Sequence, residues 1–253
     1  MSQSPVVIVT GGGLGIGAAI VNKLLEQNAR VVLVDINEEP LKEFQSQQGV
    51  DRVQYVVGDV SQHEVNCKAV DVAVSTWGRL DAVALNAGIM APVKRIAEVD
   101  PADWTKIFNI NVVAHVSMLK ASIPHLRKTN GRVVVTSSDA GEKPSFPAWG
   151  AYGATKAAVN YVIKALTLEE PEITAVGLYP GVVNTPMVQA ILKGEYNNGM
   201  SQEELQRYIE NITPRLVEAH QPGSVIANLA LKADPALKGA IHFWDEKEFA
   251  AYQ

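Results

Sequence analysis

The 253-residue chain is 47% hydrophobic and 19% charged, a balance that permits a substantial buried core in one large domain or two small ones. A formal net charge of -5 and a pI near 5.6 argue against nucleic acid or an anionic membrane as partner. The single cysteine, Cys67, excludes an internal disulfide and fits a reducing compartment, and the five histidines form no metal-spaced set, so no metal site is expected.

The segment Met1 to Pro5 shows no basic stretch followed by an apolar run, and nowhere do about 18 apolar residues run uninterrupted. A cytoplasmic protein without a membrane span is the expectation. Val6 to Thr10 reads as a strand buried on both faces, ending in Gly11-Gly12-Gly13-Leu14-Gly15-Ile16-Gly17 and followed by a helical pattern that Asn28 stops. Val31 to Val34 is a second buried strand closed by Asp35. A polar helix, Glu38 to about Gln48, leads to a third strand, Val53 to Val57. A helix from about Glu64 to Thr76 precedes the fourth strand, Ala82 to Leu85, which ends at Asn86-Ala87-Gly88.

The alternation continues with a long helix from Asp103 to about Lys128 and a strand, Val133 to Thr136, ending at Ser137-Ser138. An irregular loop, Asp139 to Gly150, leads into a helix running to about Glu169, then a strand, Thr174 to Tyr179, ending at Pro180-Gly181. Residues 184–214 are more polar and broken by Gly194 and Gly199, which predicts a mobile helical flap. A helix near Gly223 to Leu231 and a last strand, Ala240 to Trp244, follow. With no repeat or linker in between, the pattern predicts an α/β fold: one doubly wound domain over residues 1–253, a mostly or wholly parallel sheet of about seven strands flanked by helices.

Ligands in such sheets bind beyond the carboxyl ends of the strands, and the unusual residues gather there. The glycines after the first strand permit a tight turn whose N–H groups, with the following helix dipole, suit a phosphate. Asp35, ending the second strand, suits ribose hydroxyls and would repel a 2′-phosphate, and Leu14 stands where an Arg or Lys might neutralise one. Both favour NAD(H) over NADP(H). Asp59 with Val60 could meet the adenine, and Asn86-Ala87-Gly88 either lets the cofactor pass close or braces the turn. Tyr152 and Lys156, four apart, share a helix face; a lysine cation beside a phenol favours the phenolate and makes it a usable acid or base. Alone, that pair also fits an ordinary amphipathic helix.

Together, Thr10-Gly11-x-x-x-Gly15-x-Gly17, Asn86-Ala87-Gly88, Asn111, Ser138, Tyr152-x-x-x-Lys156 and Pro180-Gly181 through Thr185 resemble the motif series of the short-chain dehydrogenase/reductases, in order and near spacing, over roughly Val6 to Thr185. The resemblance implies a Rossmann fold and a nicotinamide cofactor held by Thr10, Gly11, Gly13, Leu14, Gly15, Ile16, Gly17, Asp35, Ile36, Asp59, Val60, Asn86, Ala87, Gly88, Tyr152, Lys156, Pro180, Gly181, Val183 and Thr185. It implies Tyr152 as acid and base, Lys156 lowering its pKa and holding the nicotinamide ribose, Ser138 on the substrate oxygen, and Asn111 holding a relay water. Ser137 and Asn109 are the neighbouring alternatives. Val93-Lys94, Glu142-Lys143-Pro144, Trp149-x-Ala151-Tyr152-Gly153 and Glu169-Glu170-Pro171 are similar to the benzil-reductase and sepiapterin-reductase-like branch, which reduces diketones and bulky aryl carbonyls, usually with NADPH. Leu14 and Asp35 depart from that cofactor pattern.

The pocket is expected to be apolar and partly aromatic, lined by Met90, Ala140, Glu142, Phe146, Trp149, Met187 and Ile191, with Leu192 and Tyr196 nearby. That lining suits a ketone, diketone or secondary alcohol. The expected activity is NAD(H)-dependent interconversion of a ketone and a secondary alcohol, with NADPH-dependent reduction and non-catalytic NAD sensing as alternatives. The resemblance further implies a homodimer or homotetramer joined through the two long helices.

Overall fold

In the computed structural model, which describes residues 4–144, 146–195 and 199–253, every apolar run singled out above is a strand. They are β1 (Val6–Thr10), β2 (Arg30–Asp35), β3 (Val53–Val57), β4 (Ala82–Leu85), β5 (Arg132–Thr136), β6 (Thr174–Tyr179) and, after a short parallel pair β7 (Val182–Asn184) and β8 (Leu216–Glu218), β9 (Ile241–Phe243). Seven of them form one parallel sheet in the order β3-β2-β1-β4-β5-β6-β9. The chain therefore winds outward from β1 in both directions, and the crevice lies beyond the carboxyl ends of β1 and β4.

Period-two alternation sorts the strand residues between two cores. Val7, Val9, Val31 and Leu33 face a layer built by α1 (Gly15–Glu26) and α9 (His220–Lys232). There Gly223 lies so near α1 that a Cβ would stand 2.7 Å from Ala19 Cβ. Val6, Ile8, Val32 and Val34 face α3 (His63–Trp77), α5 (Ala114–Leu126) and α6 (Gly150–Glu169) on the other side. The polar α2 (Glu38–Gln48) buries only Leu41 and packs on β3. Among the described residues no helix is long and apolar enough to cross a membrane.

One segment differs from the sequence expectation. The single helix expected from Asp103 to Lys128 is α4 (Pro101–Phe108), a π-helical turn (Asn109–Val113), α5 and a terminal 3₁₀ turn (Arg127–Thr129). Within the wide turn the Asn111 side chain is pulled inward to bracket Ile89, accepting from its N–H at 2.8 Å and donating to its carbonyl at 2.9 Å. In the polar stretch 184–214 the described residues include α7 (Pro186–Leu192), capped by Thr185, and α8 (Gln202–Ile212), opened by a Ser201–Glu204 capping box. Its polar composition belongs to the outer face; Leu205, Tyr208 and Ile212 are buried on the inner one. Tyr196 lies outside the described residues.

Candidate active site

The glycine turn is built for close approach by a ligand's phosphates. Gly11 and Gly15 sit at φ +63 and +54, and a Cβ on Gly17 would stand 1.8 Å from the Gly11 carbonyl oxygen. α1 starts at Gly15 without a side-chain cap and without an acidic residue in its first turn, leaving its N–H groups and dipole for an anion. Asp35 ends β2 with one carboxylate oxygen accepting from Gly13 N–H at 3.1 Å and the other from Asn37 N–H at 3.1 Å, so its position is set by the turn itself. Leu14 and Ile36 are exposed on either side of it. Asp59 is similarly held, accepting from Ser61 N–H, with Val60 buried beside it. Thr185 adjoins the same turn, its Cγ2 standing 3.1 Å from where a Gly15 Cβ would be. These residues fit a dinucleotide: small at the turn, uncapped at the helix end, acidic at the ribose position.

Asn86 takes the bracing role. Its amide donates to the carbonyls of Thr10 and Gly11 at 3.2 Å each and accepts from Thr136 Oγ1 at 3.1 Å, while Thr10 Oγ1 accepts from the N–H groups of Asn86 and Ala87. The ends of β1, β4 and β5 are thereby tied into one rim, and Gly88 lies against Asn111.

Lys156 hangs from the same rim, its ammonium donating to the Thr136 carbonyl at 2.8 Å. It is buried, and burial lowers its pKa to about 8. Tyr152, one turn earlier on α6, has its ring centroid 5.6 Å from Lys156 Nζ. Burial pushes the phenol up to about 12; the neighbouring Ser138 hydroxyl favours the phenolate, and Asp139 opposes it. Desolvation is thus the largest influence on the phenol in this arrangement. Ser138 Oγ accepts from Ala140 N–H at 3.2 Å and shares a 3.4 Å contact with Asp139.

The structure separates the alternatives. Ser137 points away, bonding Asn160 Oδ1 at 2.6 Å, and Asn109 is exposed, whereas Ser138 adjoins Tyr152 and Asn111 is buried against Thr155, whose hydroxyl binds the Tyr152 carbonyl. Beside Asn111 lies a residue the sequence left unassigned. His115 is buried, and desolvation together with the Lys156 charge lowers its pKa to about 4.

Over Tyr152 lies an apolar cluster of Met90, Val93, Ala148, Ile191, Met200, Leu205, Tyr208 and Ile212, joined by Phe146, Trp149 and Met187. It contains most of the expected pocket residues. Ala140 and Glu142 lie outside it; Glu142 accepts from the Tyr179 hydroxyl at 2.8 Å, which in turn accepts from Asn160 Nδ2. Tyr208 was missed because α8 reads as a polar stretch; the signal was the spacing Leu205, Tyr208, Ile212. Pro180, Gly181 and Val183 lead from β6 into the base of this lid, with Gly181 at φ +71. Elsewhere His242, Glu246 and Glu248 bring ligand-type atoms within 4.8 Å of one another, a grouping closed by a 2.9 Å His242–Glu246 bond.

A profile of the short chain dehydrogenase family matches residues 5–195. An uncharacterized oxidoreductase of Saccharomyces cerevisiae is 38% identical over 235 residues, covering 91% of each chain. The benzil reductase ((S)-benzoin forming) of the same yeast is 32% identical over 241 residues, again covering 91% of each. The crystal structure of a yeast short-chain dehydrogenase/reductase superposes with a TM-score of 0.93 at 35% identity, covering 99% of this chain and 100% of that one.

Proposed function

Because this chain belongs to the short-chain dehydrogenase family and is an oxidoreductase of that type, we propose that it interconverts a ketone or diketone and a secondary alcohol using NAD(H), with Tyr152 as acid and base. The observation that carries this reading is the meeting of Tyr152, Ser138 and Lys156 beneath an apolar lid, at the strand ends that also carry the glycine turn.

Gly11, Gly13, Gly15, Ile16 and Gly17 would hold the pyrophosphate, Asp35 the adenosine ribose, Leu14, Ile36, Asp59 and Val60 the adenine side, and Lys156, Val183 and Thr185 the nicotinamide end. The nicotinamide, when bound, supplies or accepts the hydride. Ser138 Oγ orients the substrate oxygen toward the phenol. In reduction Tyr152 donates its proton to that oxygen; in oxidation it takes the proton back. Burial keeps the phenol protonated at neutral pH, which suits the donor role. The Lys156 ammonium, anchored to Thr136, would favour the phenolate left when that proton is given up. Asn111, with its side chain committed to Ile89 and Thr155, would contribute to a proton relay through its main chain. The lid of α7 and α8 excludes water and favours an uncharged substrate.

Asp35 supports NAD over NADP, because its carboxylate is locked by Gly13 and Asn37 where a 2′-phosphate would fall. A ketone and alcohol panel run with NADH and NADPH in parallel tests the whole reading. Binding of NADH without turnover of any carbonyl or alcohol would favour a sensor. Tighter NADPH binding would overturn the role given to Asp35.

We also propose a cytoplasmic homodimer or homotetramer formed through α5 and α6. Tyr161 and Leu168, seven apart on α6, are 75% and 86% exposed, and Val113 and Val116 are exposed along the neighbouring helix.

A further inference from the structure

Among the described residues, Trp149 Nε1 is a buried donor with no hydrogen-bond partner. A buried N–H left without an acceptor is costly, and most such groups in native proteins are satisfied. This one belongs to a side chain that cannot turn aside to find a partner. Phe146 packs on the indole at 5.3 Å between centroids, Tyr208 at 5.3 Å, and Tyr152 at 5.9 Å in an edge-on arrangement. Phe146 and Tyr208 close on each other at 4.7 Å, completing an aromatic box with the reacting phenol as one wall. Burial raises the pKa of the Tyr208 phenol, and the charge Tyr152 would carry raises it further, so the two phenols share one small space.

We infer that Trp149 Nε1 is a specificity-determining donor that binds a second oxygen of the substrate, carried on the carbon next to the reacting carbonyl, while Phe146 and Tyr208 hold a flat apolar substituent. This rests on the reading of Tyr152 as the group that meets the first oxygen. The edge-on contact sets the indole directly beside the phenol proposed to meet the first oxygen. With a simple ketone only the Tyr152 and Ser138 end is satisfied and the indole N–H stays unpaired. With a second acceptor both ends are satisfied, which is the arrangement by which a site rejects analogues lacking a polar group.

The test compares a vicinal diketone with the ketone in which a methylene replaces the second carbonyl, using wild type, Trp149→Phe and Trp149→Tyr. Either variant is expected to lower kcat/KM for the diketone by about tenfold or more beyond whatever it costs the methylene analogue, a differential loss equivalent to about 1.4 kcal/mol. Equal losses on both ketones would show a merely structural indole and overturn the inference. A second readout does not need turnover. In protein labelled with ¹⁵N-tryptophan, the Trp149 indole N–H resonance, identified by its absence in the variants or by its contacts to Tyr208, is expected to move with the diketone and not with the analogue. No shift, or the same shift with both, overturns the inference. If the wild type turns over neither ketone yet the indole responds to the diketone alone, the carbonyl-reductase reading fails while the second-oxygen contact stands.

Discussion

Lys156 Nζ lies 5.6 Å from the centroid of the Tyr152 ring and gives a 2.8 Å hydrogen bond to the Thr136 carbonyl rather than to the phenol. The lysine is thus a fixed charge suspended from the end of β5. Burial acts on both groups in opposite senses, raising the phenol to about 12 and lowering the ammonium to about 8. Carbonyl reduction needs both protons in place. Its rate is expected to fall on the alkaline side with an apparent pKa near 8, set by Lys156 and not by the tyrosine. Steady-state kcat for reduction between pH 6 and 10, with Lys156→Ala as the control that removes the titration, checks the assignment.

Tyr152→Phe removes the proposed proton donor and leaves the glycine turn untouched. Turnover is expected to drop by about 10²–10⁴-fold, the usual contribution of a positioned acid or base, while NADH affinity, read by fluorescence titration, stays within about twofold. Retained activity would remove Tyr152 from the mechanism.

Asp35→Ser combined with Leu14→Arg exchanges a locked carboxylate for a cation at the adenosine ribose. The ratio of NADPH to NADH affinity is expected to rise by about 10–100-fold, the span of one or two charge-assisted hydrogen bonds. Comparing dissociation constants for the two cofactors gives the answer without any knowledge of the substrate.

Gly17→Ala places a methyl group where the Gly11 carbonyl oxygen already stands, 1.8 Å away. The turn must open, with a loss of about 1–3 kcal/mol in stability, as for other overpacked sites. NADH binding should weaken more than stability does, because the displaced N–H groups are those proposed to meet the phosphates. Thermal unfolding with and without NADH separates the two effects.

His115 couples the buried site to acid stability. Its pKa falls from the ordinary 6.5 to about 4 because burial, and then the Lys156 charge, disfavour the imidazolium; the nearby carbonyls of Asn111 and Leu85 offset part of this. The unfolded chain accepts a proton that the folded chain refuses, so stability is full above about pH 6.5 and declines as pH falls toward 4, by about 3 kcal/mol at most. His115→Leu should flatten that slope in urea midpoints measured across the window.

Much of this molecule was legible in one dimension because its strands are apolar runs bounded by glycine, asparagine or aspartate. Val6 to Thr10 and Ala82 to Leu85 are strands with the bounds read from sequence. Buried on both faces of a parallel sheet, such runs need little long-range information to be recognised. The π-helical turn at Asn109–Val113 was invisible, since nothing local distinguishes it from the helix on either side. Its cause is the grip of Asn111 on Ile89, a contact across 22 residues. The bond that Glu142 accepts from the Tyr179 hydroxyl joins residues 37 apart, and no spacing encodes it.

Sequence alone determined the family, the order of the elements and the residue types at each strand end, because those depend on local pattern and on glycines that only one backbone path can use. Tertiary structure alone decided that Ser138 and not Ser137 adjoins Tyr152, that Asn86 braces the rim, and that Tyr208 from α8 completes the box around Trp149. It also set the surroundings of Tyr152: the packed layers remove the water that would stabilise a phenolate, and that loss of solvation outweighs the help of the Ser138 hydroxyl.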